Sequence, residues 1–294
     1  MNNGLYVVVE SIDGGGKDVV IEGLKKRDQT LGKTVIDINS MWKNIVPVND
    51  NLLLQIYGRV ILDERKGKFY CDIIPTYSDL KKYYIKYYNK MIDSIIVSEP
   101  TFGSFGLKIR TKIVDLKKGD DFTPKQEAEA YAADRYELLQ KLIIPAINDG
   151  VNVYSARCFI SSIVYQSQRT ENALSVNKIM SIPGNIFARK NHPELVIIVD
   201  IKPEIAVERL AKRDSEQTKF EKISFLELFQ KFYMSGFLKS FLEEMGCKVV
   251  YFDNNKNRDL TEVYDAIKQL MDDFYIFKKN AENKKINLLN WYLT

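Results

Sequence analysis

The residues best suited to chemistry stand early, in the run Glu10-Ser11-Ile12-Asp13-Gly14-Gly15-Gly16-Lys17-Asp18. Three consecutive glycines let several backbone N–H groups turn toward one anion, and the lysine after them adds a full positive charge. An apolar run at 5–9 precedes the glycines and a helical pattern follows, so the turn should open on a helix N-terminus. That combination makes a cradle for phosphate. Two positions depart from G-x-x-x-x-G-K-[ST]: Ser11 replaces the first glycine, and Asp18 replaces the hydroxyl that holds magnesium. Serine is small enough for its place. A carboxylate about 4 Å from a phosphate charge costs about 4 kcal/mol at an effective dielectric of about 20, whereas a magnesium ion between them reverses the sign.

Such a loop works only where a sheet carries it. Apolar runs at 5–9, 94–97, 151–154, 195–199 and 248–252 read as strands buried on both faces. Helical patterns cover 126–147 and 225–242, a third opens at Pro203, and a fourth follows Asp259 and Glu262, which resemble a capping box. The expectation is an α/β chain: a five-stranded parallel sheet with helices on both faces and the site at the carboxyl ends of the strands. The stretch at about 34–93 is too long for a simple connection and reads as an insertion between the first helix and the second core strand. It should hold a strand at 34–38, hairpin arms at 59–63 and 68–74, and a helix from Ser78. Tyr83, Tyr84, Tyr87, Tyr88 and Met91 on that helix read as a packing face, with a partner surface as the alternative. Residues 1–277 then form one domain, and the Lys/Asn-rich 278–294 form a loosely ordered tail.

Composition narrows the function. With 45% hydrophobic and 28% charged residues in 294, the chain has the make-up of a soluble domain. Its longest apolar runs fall far short of a membrane span. No charged-then-apolar leader opens the sequence, so a cytoplasmic location is expected. Cys71, Cys158 and Cys247 lack metal-ligand spacing and read as buried free thiols. A single histidine, His192, removes histidine-based triads and multi-histidine metal sites. The net charge of +4 suits small anionic ligands and is too mild to call for nucleic acid.

Further segments follow the loop in a telling order. Glu99-Pro100-Thr101-Phe102-Gly103 resembles R-E-P-G-G, with Ser98 at the arginine, and 105–110 resembles I-G-x-x-I-R. Tyr131-Ala132-Ala133-Asp134-Arg135 resembles F-A-A-D-R. Ser155-Ala156-Arg157-Cys158 stands where D-R-Y or D-R-H is expected, followed by Ser161-Ser162 and Tyr165-Gln166. Pro193 to Asp214 and Lys219-Phe220-Glu221 continue the match. By these segments the chain resembles the thymidylate kinases, nucleoside-monophosphate kinases of the P-loop fold.

The resemblance implies transfer of the ATP γ-phosphoryl group to dTMP or a related pyrimidine monophosphate, with Mg2+ and as a homodimer. It implies catalytic roles for Lys17, Arg157, Asp13 and Glu99. ATP would lie on Ser11, Gly14, Gly15, Gly16, Lys17, Asp18 and Arg213, the last belonging to a basic lid with Lys212 and Lys219. Asp18 and Glu99 would meet the metal. Tyr131 would stack on the base while Arg135 bonds its carbonyl edge, and Tyr165 and Gln166 would close over it. Arg110 and Arg157 would grip the acceptor phosphate, and Asp13 would accept from the sugar 3′-hydroxyl. Ala156, in place of an aspartate that organises the metal, leaves two readings. Either Asp18 has taken over magnesium binding, or the chain is a catalytically impaired nucleotide-binding or scaffolding protein. A nucleoside kinase fits less well, because three arginines suit an acceptor that already carries phosphate.

Overall fold

Val/Ile-rich segments form extended chain readily, and when both faces are covered by helices they need no polar alternation. The computed structural model describes residues 3–43, 48–58, 61–63, 68–70, 73–110, 122–168, 173–212, 222–256 and 258–293. The chain begins β1 (Tyr6–Glu10), α1 (Lys17–Thr30), β2 (Val35–Asp37), α2 (Ile38–Trp42) and α3 (Leu52–Tyr57). A hairpin of β3 (Ile61–Asp63) and β4 (Lys68–Tyr70) leads to α4 (Tyr77–Tyr88), β5 (Ser94–Ser98) and α5 (Ser104–Lys108). Next come α6 (Pro124–Leu138), a π turn at Leu139–Ile143, α7 (Ile144–Asn148), β6 (Asn152–Ala156) and α8 (Phe159–Ser167). Then follow α9 (Val176–Met180), α10 (Pro183–Lys190), β7 (Leu195–Asp200) and α11 (Pro203–Ala211). The last elements are α12 (Ile223–Tyr233), α13 (Gly236–Glu244), β8 (Lys248–Asp253) and α14 (Leu260–Leu293).

The sheet is parallel throughout, in the order β2-β5-β6-β1-β7-β8. Among the described residues it has six strands where five were expected. The extra one is β2, the strand read at 34–38, which leaves the inserted stretch to pair Ile36 with Ile95 of β5 and close that edge. Alternation across β1 divides the core. Val7 and Val9 face a layer with Val20 and Leu24 of α1 and Ile267 and Met271 of α14, while Val8 faces Ile95, Val97, Leu138 and Phe159.

Several helices differ from the sequence reading in a definable way. The pattern at 126–147 is interrupted by the π turn, and that at 225–242 breaks where Ser235 caps α13 by accepting from the Leu238 N–H at 3.2 Å. The capping box of α14 is present: Glu262 and Asp259 exchange bonds of 3.1 and 2.8 Å with each other's backbone N–H. That helix continues to Leu293, through the segment expected to be a loose tail. On α4, Tyr77 is buried and Tyr83 and Tyr84 pack against the core, but Tyr87, Tyr88 and Met91 are exposed, so the stripe packs only on its inner side. Cys158 and Cys247 are buried free thiols, and Cys71 lies outside the described residues. Among the described residues no helix is long and apolar enough to cross a membrane.

Candidate active site

The strand order reverses at β1, flanked by β6 and β7, and ligands of open α/β sheets bind at such a switch point. The glycine run turns there. Gly14 and Gly16 have φ of +76° and +93°, which side chains rarely adopt. A Cβ on Gly15 would stand 1.7 Å from Ser11 Oγ, so the serine fills the space beside the loop's central glycine. Its hydroxyl is buried without a hydrogen-bond partner among the described residues. Asn254, just past β8, donates Nδ2 to Gly15 O at 2.9 Å and fastens the loop from the far side.

Lys17 opens α1 with Nζ 3.9 Å from Asp13. Burial, and then the nearby Arg157 guanidinium, pull the lysine's pKa below its ordinary value. Arg157 follows β6 in a left-handed conformation, φ +76°, which costs a non-glycine residue about 1–3 kcal/mol unless its surroundings enforce it. They do. Its N–H donates to Val9 O at 3.0 Å, and its guanidinium bonds Asp13 and Ser161 Oγ (3.0 Å) while lying 5.0 Å from the Tyr165 ring centroid.

Behind Arg157 stands Glu10, fully buried at the end of β1. Its Oε1 accepts from the backbone N–H of Cys158 (2.8 Å) and Ser161 (3.2 Å). Its Oε2 accepts from Ser161 Oγ (2.6 Å) and Tyr233 Oη (2.8 Å). One carboxylate thereby joins β1, α8 and α12, and reaches Arg157 through Ser161.

A second network lies beyond β5. Glu99 Oε2 accepts from Arg135 Nε at 2.7 Å, and Arg135 also donates to Asn185 Oδ1 and to Ser162 Oγ at 3.1 Å. Glu99 Oε1 is buried with no partner among the described residues. Burial pushes the Glu99 carboxyl up to about 8, against the opposing pull of Arg135. Asp134 takes both the N–H (2.7 Å) and the hydroxyl of Thr101, which shapes the turn after Glu99. Arg110 stacks 4.0 Å over Phe102 and donates to Thr101 O (3.0 Å) and Pro100 O. Tyr131, half-buried on α6, has its phenol pKa raised by burial, with Glu127, Arg157, Arg110 and Asp13 as the charges acting on it. Tyr165 and Gln166 are buried on α8, and Gln166 Oε1 has no partner among the described residues.

A sequence model of thymidylate kinase matches residues 80–271. The chain belongs to the thymidylate kinase family. It is 31% identical over 186 residues to a probable thymidylate kinase of Archaeoglobus fulgidus, covering 63% of this chain and 83% of that one. It is 37% identical over 147 residues to a thymidylate kinase of Lactobacillus acidophilus, covering 49% and 65%. A thymidylate kinase of Caldicellulosiruptor saccharolyticus is 32% identical over 180 residues, covering 61% and 81%. The match to the family model begins downstream of the glycine loop, β2 and α2.

Within this divergent member, Asp13, Lys17, Arg157 and Tyr165 come together, Arg110 is held on Phe102 and the Pro100 and Thr101 carbonyls, and Arg135 is committed to Glu99, Asn185 and Ser162 at 2% exposure. Asp18 and Glu99 answer to different partners: Asp18 is 67% exposed and lies 3.9 Å from Lys43, whereas Glu99 is buried against Arg135. Among the described residues no group of three or more His, Cys, Asp or Glu is placed to hold a metal. Ala156 packs with Val9, Val20 and Ile197 in the apolar layer. Lys212 is exposed, and Arg213 and Lys219 lie outside the described residues. Sequence reasoning missed Glu10, Lys43, Asn185 and Asn254. A charged residue closing the run Val-Val-Val-Glu was the available signal for Glu10; the others had none.

Proposed function

We propose that this thymidylate kinase family member transfers the γ-phosphoryl group of ATP to dTMP or a related pyrimidine nucleoside monophosphate. The observation that carries this reading is the convergence of Asp13, Lys17 and Arg157 at the carboxyl ends of β1 and β6. Phosphoryl transfer asks a protein to position two phosphates in line and to neutralise the charge spread over the transferred group. Loop amides and Lys17 take the donor phosphates. Arg157 reaches the same region from the acceptor side, and Arg110 joins it on the monophosphate. Tyr131 stacks on the pyrimidine, Gln166 meets its polar edge, Tyr165 closes over it, and Asp13 accepts from the sugar hydroxyl, while Arg135 supports Glu99 from behind. An acceptor phosphate oxygen attacks the γ-phosphorus, the bond to the β-phosphate oxygen breaks, and ADP leaves.

Asp18 fits magnesium: it is exposed beside Lys17, and this ion is held by one or two carboxylates with water and phosphate as the other ligands. Glu99 does not fit, because its carboxylate is buried against Arg135. Bound there, magnesium offsets the charge of the donor phosphates. Calorimetry of ATP binding with and without magnesium, followed by an ADP-coupled assay with dTMP, tests the whole reading. Magnesium-dependent binding with ADP release is expected. Absence of ADP with every pyrimidine monophosphate at high enzyme overturns the transfer.

A further inference from the structure

Ser98 and Asp18, two departures from the family pattern, sit on different elements, yet both are met by residues of or beside α2. Ser98 Oγ donates to Asn39 Oδ1 at 2.7 Å in a buried contact. Lys43, the residue after α2, places Nζ 3.9 Å from Asp18 Oδ1 in the first turn of α1. This short helix is well anchored. Asp37 caps it by accepting from Ser40 N–H (2.8 Å) and Oγ (2.6 Å), and Lys25 of α1 holds Asp37 at 3.0 Å. Trp42 is fully buried, donates Nε1 to Ile73 O at 3.1 Å and lies 6.5 Å from the Phe102 ring. Asn39 therefore fixes the helix to β5, Trp42 ties it to Ile73 and Phe102, and its end delivers an ammonium group to Asp18 beside the glycines.

The charge there points to a polyphosphate. Lys17, Lys43 and Arg157 face Asp13 and Asp18, and Lys43 is one of the charges acting on Lys17. An isolated pair as exposed as Lys43 and Asp18 stabilises a fold by little. Beside a bound nucleotide the same lysine has a stronger task. It offsets a carboxylate that otherwise repels phosphate, and its side chain, one-third exposed, has four methylenes over which to swing. We propose that Lys43, at the end of α2 and upstream of the residues that the family model matches, is a phosphate-binding residue of the donor site that balances Asp18 and reaches the β- or γ-phosphate of a nucleoside triphosphate. This rests on the nucleotide reading given above.

The test measures ATP affinity of the full chain by calorimetry in EDTA, so that only protein charges contribute. A unit charge at 4 Å in water is worth about fivefold in affinity, and more with partial burial. Lys43→Met should therefore weaken ATP by about fivefold or more, Lys43→Arg should retain most of the affinity, and Asp18→Asn added to Lys43→Met should restore most of what was lost. Lys43→Met within twofold of the parent chain, or no recovery on adding Asp18→Asn, overturns the assignment while leaving nucleotide binding intact. If the parent chain and its Lys17→Ala variant both fail to bind ATP even with magnesium, the nucleotide reading itself fails, and this inference with it.

Discussion

Replacing Glu10 tests whether one buried carboxylate holds the site in shape. Its oxygens accept four hydrogen bonds, two from backbone N–H groups that can only donate and two from hydroxyls that can also accept. Glu10→Ala takes the acceptor from all four donors in a buried site, and the two hydroxyls, by turning to each other, can satisfy one of them. At about 1–3 kcal/mol for each orphaned buried donor, and allowing water to recover part, the loss should be about 4 kcal/mol or more. Glu10→Gln is a different perturbation. Its amide oxygen can keep the bonds from the Cys158 and Ser161 backbone, while its amide nitrogen faces Ser161 Oγ and Tyr233 Oη, which can turn to accept. Those two hydroxyls stand 3.3 Å apart and can also satisfy one another. The glutamine should cost about 1–2 kcal/mol. Urea unfolding followed by circular dichroism separates the variants, provided the slope with denaturant stays constant. Equal losses for Gln and Ala, or losses under about 0.5 kcal/mol for both, refute the hydrogen-bond argument. A functional readout accompanies it: because Ser161 links Glu10 to Arg157, Glu10→Gln should raise KM for dTMP more than it lowers kcat.

Other expectations follow from the same contacts. Glu99, held near 8 in the fold against an ordinary value of 4.5, binds more protons folded than unfolded between those limits, so its contribution to stability is complete below the lower value and is lost as pH rises toward about 8. Stability should fall by up to about 1.4 kcal/mol per pH unit within that window, and Glu99→Gln should flatten the profile; parallel profiles for parent and variant contradict the assignment. Gly15→Ala should abolish ATP binding through its clash with Ser11 Oγ, and adding Ser11→Gly should recover part of the affinity, with the 3.0 Å approach to Ile12 O limiting the rescue. An unaffected Gly15→Ala in calorimetry would show that the loop does not bind as argued.

Local chemistry made much of the fold legible. The runs at 5–9, 94–97, 195–199 and 248–252 became β1, β5, β7 and β8 within a residue or so, because Val and Ile in unbroken sequence have few other low-energy fates in a parallel sheet. The caps at Pro203 and at Asp259 with Glu262 appeared for the same reason: a helix end is decided by groups three or four residues apart. The sixth strand was harder. A segment at 34–38 could be read as extended, but only its pairing with β5 decided that it joins the main sheet. Likewise the exposure of Tyr87 and Tyr88 depends on what lies across from α4, which their helical spacing does not encode.

The site divides in the same way. The sequence by itself determined the glycine loop, the lysine after it, and the order of segments that places Arg157, Tyr131 and Glu99 in one family, since each is written in neighbouring residues. Tertiary structure alone decided that Arg135 is spent on Glu99 and Asn185, that Asn254 braces Gly15, and that Lys43 answers Asp18. Those partners lie tens to hundreds of residues apart. A short-range pattern reports on backbone geometry within a turn or two, whereas a charge or a buried polar atom is matched by whatever the folded chain brings within about 4 Å of it.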